Sequence, residues 1–210
     1  AKHAGMDDAE YADQIVKACF LNRREPVTHW ESVYRKAQAI KKRLNALEVK
    51  KFHIESDNID LVITPGQSRR WIGISGHNVP SFELFTSPDW HGTKGIFYAD
   101  QPTYRSGNLV RGIRVEFVKG KAVNATAEAG EAFLTKQLEM DAGANKIGEF
   151  SLTDKTFSKI DRFMANTLFD ENFGGEFGNC HIALGSSYSD TYAGKSSDLT
   201  SARKKELGFN

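Results

Sequence analysis

The sequence predicts an α+β fold: a mixed, largely antiparallel sheet with flanking helices, preceded by a helical N-terminal segment. Three observations carry that expectation. Apolar residues recur at helical spacing over residues 8–21 and 28–47. From about residue 50 the period shortens to two, most plainly where Ile113, Val115 and Phe117 alternate with Arg114 and Glu116. Helical character returns over 127–141 and is followed by a further strand at 147–152.

Taken in order, Tyr11, Ile15, Cys19 and Phe20 mark the first helix, and Asn22–Pro26 breaks it, because the residue before a proline avoids the helical region. Thr28 is the expected N-cap of the second helix, with Glu31 completing a capping box. Trp30, Val33, Tyr34, Ala37, Leu44 and Leu47 form its apolar stripe, and the basic run Lys41–Arg43 reads as a solvated face. Short strands are expected at 52–54, 59–63, 71–74 and 95–98, with a turn at Gly66–Arg70. The strand 113–117 turns through Lys119-Gly120-Lys121 into 122–126, a β-hairpin. In the helix 127–141, Ala132, Phe133 and Leu138 are expected to face inward. Residues 156–168 have no single period, and 171–181, with Gly174, Gly175 and Gly178, reads as loop. Residues 186–201, rich in Ser, Thr, Asp and Gly, read as a mobile loop.

The chain has 210 residues, 40% hydrophobic and 26% charged, which suits a globular domain with a real core and disfavours disorder. Its 28 basic and 27 acidic residues nearly cancel, so no nucleic-acid partner is expected. No apolar run approaches the ~20 residues that cross a bilayer, so no membrane partner is expected either. With only Cys19 and Cys180 it is no disulfide scaffold, and free thiols in a reducing cytoplasm are the simplest expectation. The chain opens on Ala1 without an initiator Met, and Asp7, Asp8 and Glu10 stand where a signal peptide would be apolar; a piece of a longer protein is expected.

No Gly-x-Ser-x-Gly, His-Glu-x-x-His or phosphate-loop motif is present. What stands out is a set of carboxylates in apolar or glycine-bounded settings. Glu83 is flanked by Phe82, Leu84 and Phe85; Glu149 lies in Ile147-Gly148-Glu149-Phe150-Ser151-Leu152; Glu171 lies in Leu168-Phe169-Asp170-Glu171-Asn172; His181 precedes Ile182-Ala183-Leu184. Strand alternation would put Ile147, Glu149 and Ser151 on one face. Buried carboxylates are costly unless paired, hydrogen-bonded or bound to a cation. Three glutamates and a histidine together would suit Zn, Mn, Co or Mg. Taken singly, each has an ordinary structural explanation: a strand-edge glutamate, a polar turn, a hydrogen-bonded core histidine.

The stretches Asn78–Asp89, Ile147-Gly148-Glu149, Thr167–Asn172 and Cys180–Gly185 resemble, in this order, the M29 metallo-aminopeptidases, the aminopeptidase T, aminopeptidase S and PepS type. The run from Ala18 through Pro26 to Trp30, Gly112–Phe117 and Gly120-Lys121 extend the likeness over nearly the whole chain, and the Phe173–Asn179 loop is most similar to the PepS branch. The resemblance implies a metal-dependent aminopeptidase that hydrolyses N-terminal residues of peptides with two divalent metal ions (Zn, Co, Mn or Mg), and it suggests a homodimer. Carried over by motif, Glu83 would bind one metal and Glu149 would bridge both. Glu171 and His181 would add to the site. Tyr188, seven residues after His181, would be a supplementary ligand or a hydrogen-bond donor to the reacting oxygens. Glu83, Glu149 and Tyr188 are thus the expected catalytic residues.

The resemblance also divides the chain, with residues 1–50 a helical lead-in from a preceding domain and 51–210 the catalytic domain. A further His-x-Asp motif would fall just past Asn210, and no His follows His181. The chain is therefore expected to be the middle and later part of the enzyme, with its C-terminal end missing. Two alternatives stand beside the enzyme: a catalytically silent fragment serving dimerisation or binding, and a metal-binding domain with other hydrolase chemistry. His77 is a candidate to orient a ligand and His91 to contact substrate. Tyr104 and Arg105 are candidates for the substrate path, while Arg69 and Arg70 are expected to be solvated.

Overall fold

The computed structural model describes residues 1–210. The first helix, α1 (Asp8–Ala18), opens on a capping box: the Asp7 carboxylate accepts from Glu10 N at 2.8 Å and the Glu10 carboxylate accepts from Asp7 N at 3.2 Å. It stops earlier than the sequence pattern suggests, because Phe20 takes a left-handed φ of 58°. That turn drives the Phe20 ring into the core, 5.0 Å from Trp30 and 5.8 Å from Phe82. Helix α2 (Pro26–Ala46) starts at the proline, so Thr28 is a helical residue and caps nothing. Proline's fixed φ suits the first turn, where its missing N–H has no partner to lose, and it overrides the capping-box signal.

Helix α2 buries Val33 and Ala37. Its Trp30 ring stacks on Phe82 at 5.2 Å, and its Asn45 amide brackets Trp71, accepting from Trp71 N at 2.7 Å and donating to Trp71 O at 3.2 Å. The helical layer thereby fixes the chain immediately before Glu83. Lys41 reaches Gly73 O at 3.4 Å, so the basic run is only partly solvated.

Strands β1 (Phe52–Glu55) and β2 (Asp60–Thr64) form a hairpin, as expected. Trp71–Ile74 forms no full strand: Ile72 alone bridges to Phe85, because Gly73 (φ 126°) and Ile74 (φ 48°) leave the extended region. Next come β3 (Glu83–Thr86), β4 (Asp89–Ala99), β5 (Thr103–Arg105), β6 (Asn108–Val110), β7 (Ile113–Val118) and β8 (Lys121–Thr126). The turn between β7 and β8 is two residues, Lys119 and Gly120, both at positive φ, the arrangement that matches strand twist.

Helix α3 (Glu131–Leu138) is shorter than expected, and Ala132 is exposed rather than inward, while Phe133 and Leu138 are half-buried. Strand β9 (Ile147–Thr153) and helix α4 (Thr167–Asp170) follow. Strand β10 (Asn179–Leu184) begins inside the segment read as loop. The expected mobile loop 186–201 is instead folded. It holds short 3-10 turns at Ser189–Thr191 and Ser196–Asp198, and buries Thr191, Tyr192 and Leu199. Tyr192 and Leu199 pack with Leu207 and Phe209 in a second small core, around helix α5 (Ser201–Glu206). The apolar partners lie later in the chain, so local composition alone misreads the segment.

Every strand pair is antiparallel. A five-stranded sheet runs β1-β2-β4-β7-β8, a three-stranded sheet runs β10-β9-β3, and β5 and β6 form a separate hairpin. The main core of 20 residues lies among both larger sheets and the N-terminal helices, and the α+β class follows as expected. No helix is long and apolar enough to cross a membrane.

Candidate metal centre

The three-stranded sheet sets the site through its register. Across β9, Thr153 faces Glu83 and Ser151 faces Phe85; on the other side Ser151 faces His181 and Glu149 faces Ala183. Directly opposed residues share a face, so Glu83, Glu149, Ser151 and His181 all project from one surface. The alternate positions Thr86 and Phe150 are buried on the other surface, where Phe150 packs against Phe52 and Trp71. The expected pairing of Glu149 with Ser151 on one face is what the strand displays.

His181 Nε2 lies 3.3 Å from Glu83 Oε2 and 3.5 Å from Glu149 Oε1. One donor atom from each of the three residues falls within 4.8 Å of the others. The glutamate side chains are only 10% and 8% exposed, so water screens them little. Ser151 Oγ donates to Glu83 Oε2 at 2.9 Å. Burial pushes the Glu83 carboxyl above its usual range, and the Glu149 charge adds to that, against the opposing pull of His181 and Ser151. At His181, burial disfavours the cation, but the hydrogen bond to Glu149 and the charges of Glu83, Glu149 and Glu171 outweigh it and raise the imidazole. Its Nδ1 is buried and makes no hydrogen bond within the chain.

Glu171 is brought to the same face but stands outside that tight trio. Its backbone oxygen accepts from Asn179 Nδ2 at 2.9 Å and from Thr153 Oγ1 at 3.5 Å, both strand residues of this surface. Burial, then the neighbouring Glu83 charge, pushes its carboxyl up to about 7, His181 pulling the other way. The flanking residues hold the loop. Asp170 accepts from Met164 N at 2.6 Å and Asn166 N at 2.9 Å, and burial still pushes its carboxyl up to about 6. Asn172, fully buried, accepts from Phe82 N at 2.6 Å and donates to Leu168 O at 2.9 Å. It ties the Glu171 loop directly to the residue before Glu83.

Tyr188 stands at the rim, half exposed, its ring 5.2 Å from Phe85. Burial and then the charges of Glu149, Glu171 and Glu83 raise its phenol above the ordinary range, and Arg105 opposes them. The hydroxyl therefore stays protonated at neutral pH.

Two carboxylate oxygens and an imidazole nitrogen within 4.8 Å, largely out of water, suit a divalent cation of the Zn, Mn, Co or Mg type. A metal would also relieve the mutual repulsion of Glu83 and Glu149. Other expected participants lie elsewhere. His77 is exposed in its own turn, and His91 binds Asp89 at 2.8 Å and stacks on Trp90. Tyr104 stacks on His3, while Arg105 is near enough for its charge to act on Tyr188. Arg69 is not solvated: its guanidinium donates to Ser87 O, Gln67 O and Leu207 O and lies 3.4 Å over the Phe209 ring. Burial, partly offset by Asp89, lowers it to about 10. Arg70 keeps an exposed contact to Asp190 O. Sequence reasoning gave no function to Ser151, Thr153, Asn172, Asn179 or Ser87. The strand period signalled Ser151; the others act through backbone contacts that no residue pattern announces.

Comparison with known proteins places the chain in a family. Aminopeptidase T of Thermus aquaticus is 30% identical over 208 residues, covering 92% of this chain and 50% of that protein. Aminopeptidase PepS of Streptococcus thermophilus is 29% identical over 209 residues, with 94% and 49% covered. The solved structure of wild-type AmpT from Thermus thermophilus superposes with a TM-score of 0.76 at 30% identity, covering 88% of this chain and 47% of that one. The chain spans about half the length of the curated relatives it matches. The family described as thermophilic metalloprotease (M29) matches residues 1–210, and the chain belongs to it.

Proposed function

We propose that this chain carries the metal-binding core of an aminopeptidase that removes N-terminal residues from peptides with a cocatalytic pair of divalent ions. One observation carries the reading: Glu83, Glu149 and His181, from three different strands, converge within 4.8 Å in a chain of the M29 family. Residues 51–210 would form the catalytic domain and 1–50 its helical lead-in.

Glu149 is on the central strand, between the strands of Glu83 and His181, which favours it as the bridging carboxylate. Glu83 and His181 would hold the ions from either side, with Glu171 and Tyr188 completing the set. When bound, the ions supply Lewis acidity toward the scissile carbonyl and lower the pKa of water. Burial raises the Glu171 carboxyl to about 7 in the metal-free chain, so it would give up a proton when it joins the ligand set. The Tyr188 hydroxyl, kept protonated, is suited to donate a hydrogen bond to an oxygen that gains negative charge. The free α-amino group of a peptide would be a further donor to a bound ion, which favours cleavage at the chain terminus.

The test is hydrolysis of an aminoacyl-nitroanilide that is lost with a chelator, restored by Zn, Co or Mn, and absent with the N-acetylated substrate. Cleavage of acetylated peptides would point to other hydrolase chemistry. No turnover with any metal would leave a binding or dimerisation module. A homodimer in the cytoplasm is part of the proposal, supported by the unpaired Cys19 and Cys180 for the compartment and checked by light scattering for the dimer.

A further inference from the structure

The run of chain that supplies Glu83 leads on to a contact with Tyr188. Glu83 and Phe85 share one face of β3, and Ser87 follows just past its end. Phe85 meets the Tyr188 ring edge-on at 5.2 Å. Ser87 is fully buried, and its Oγ accepts from Tyr188 N at 2.8 Å. Ser87 is itself held: its carbonyl accepts from Arg69 Nε at 2.6 Å, and Pro88 follows it.

The segment leading to Tyr188 is restrained on its other sides. Ser187 N donates to Asn210 O and Asn210 N donates to Ser187 Oγ, each at 2.9 Å. Gly148, next to Glu149, lets the 185–186 backbone pass so close that a Cβ there would sit 2.4 Å from Ser186 O. Tyr188 is half exposed, so little packing holds its ring beyond Phe85. The backbone tie to Ser87 and the ring contact with Phe85 together place the side chain.

We propose that Ser87 is a positioning residue that sets Tyr188 over the metal centre, with Phe85 fixing the ring; this rests on the catalytic part assigned to Tyr188 above. Ser87 touches neither substrate nor metal. It acts by registering the Tyr188 backbone to the strand that carries Glu83, so ligand and hydrogen-bond donor move as one body.

The test is a double-mutant cycle on the metal-loaded enzyme with Ser87→Ala and Tyr188→Phe. Ser87→Ala alone is expected to lower kcat about tenfold, with KM and zinc affinity changed less than about twofold. In the Tyr188→Phe background the same substitution should change kcat by less than twofold, because the hydroxyl it positions is gone. Ser87→Cys, near in size but a weaker acceptor, should fall between wild type and Ser87→Ala. A tenfold loss that persists in the Tyr188→Phe background would overturn the proposal, and so would an unchanged kcat in Ser87→Ala. If Tyr188→Phe alone leaves kcat intact, the part given to Tyr188 fails instead. If wild type lacks turnover of free N-termini, the aminopeptidase reading fails. Should Ser87→Ala not fold, the cycle run with Ser87→Cys decides by the same criterion.

Discussion

On the proposed reading, metal and protons compete for the same donors in this site, and the competition can be sized. Glu171 is pushed up to about 7, so it is about nine-tenths protonated at pH 6 and one-tenth at pH 8. If it must ionise to serve the metal, its proton alone weakens binding about tenfold between pH 8 and pH 6. His181, also raised above its ordinary value, must give up its Nε2 proton to coordinate and steepens the dependence further. The sign is fixed: affinity rises with pH, because a proton must leave each donor that the metal takes, and fewer are bound as pH rises. The assay is competition for zinc against a chromophoric chelator at pH 6, 6.5, 7, 7.5 and 8 at constant ionic strength. Calorimetry in buffers of different ionisation enthalpy counts the protons released. Wild type should lose at least tenfold in affinity from pH 8 to 6, and Glu171→Gln should release about one proton fewer at pH 6, and almost the same number at pH 8, with a correspondingly shallower slope. A Kd constant within twofold over that range would refute the reasoning, and so would an unchanged slope in Glu171→Gln.

Glu149→Gln removes the central carboxylate and should abolish tight zinc binding and turnover, while the metal-free protein keeps its melting temperature or gains a few degrees from relief of repulsion with Glu83; retained activity would exclude the bridging role. Asn172→Ala leaves Phe82 N without its acceptor in a fully buried position and should cost about 2–3 kcal/mol in urea unfolding, with zinc affinity falling too because the Glu171 loop loses its tie to the strand. Phe20→Ala should cost about 3–5 kcal/mol, since Phe20 is 1% exposed among Trp30, His29 and Phe82, but folded protein should bind zinc as wild type does.

The parts legible in the sequence were those with a short period. The alternation at 113–117 and the Glu149–Ser151 face describe neighbours in the chain, and the structure keeps them; the stripe beginning at Trp30 is kept only in part, burying Val33 and Ala37 while Tyr34 and Leu47 stay exposed. What composition hid was set by distant partners. Residues 186–201 look mobile until Leu207 and Phe209 supply the apolar surface that buries Tyr192 and Leu199. Arg69 looks solvated until the backbone carbonyls of Ser87 and Leu207 and the ring of Phe209 enclose it. The site shows the same division. Glu83, Glu149 and His181 were each ambiguous alone, because their convergence depends on pairing strands 66 and 32 residues apart in sequence.

Because β9 presents Glu149 and Ser151 on one surface and buries Phe150 on the other, its two jobs share a single frame. A one-residue deletion or insertion inside it would turn the carboxylate into the apolar layer and the phenylalanine toward the metal. Metal binding and folding would then fail in the same event. Point substitutions can silence the centre and leave the fold standing; a frame error in this strand cannot.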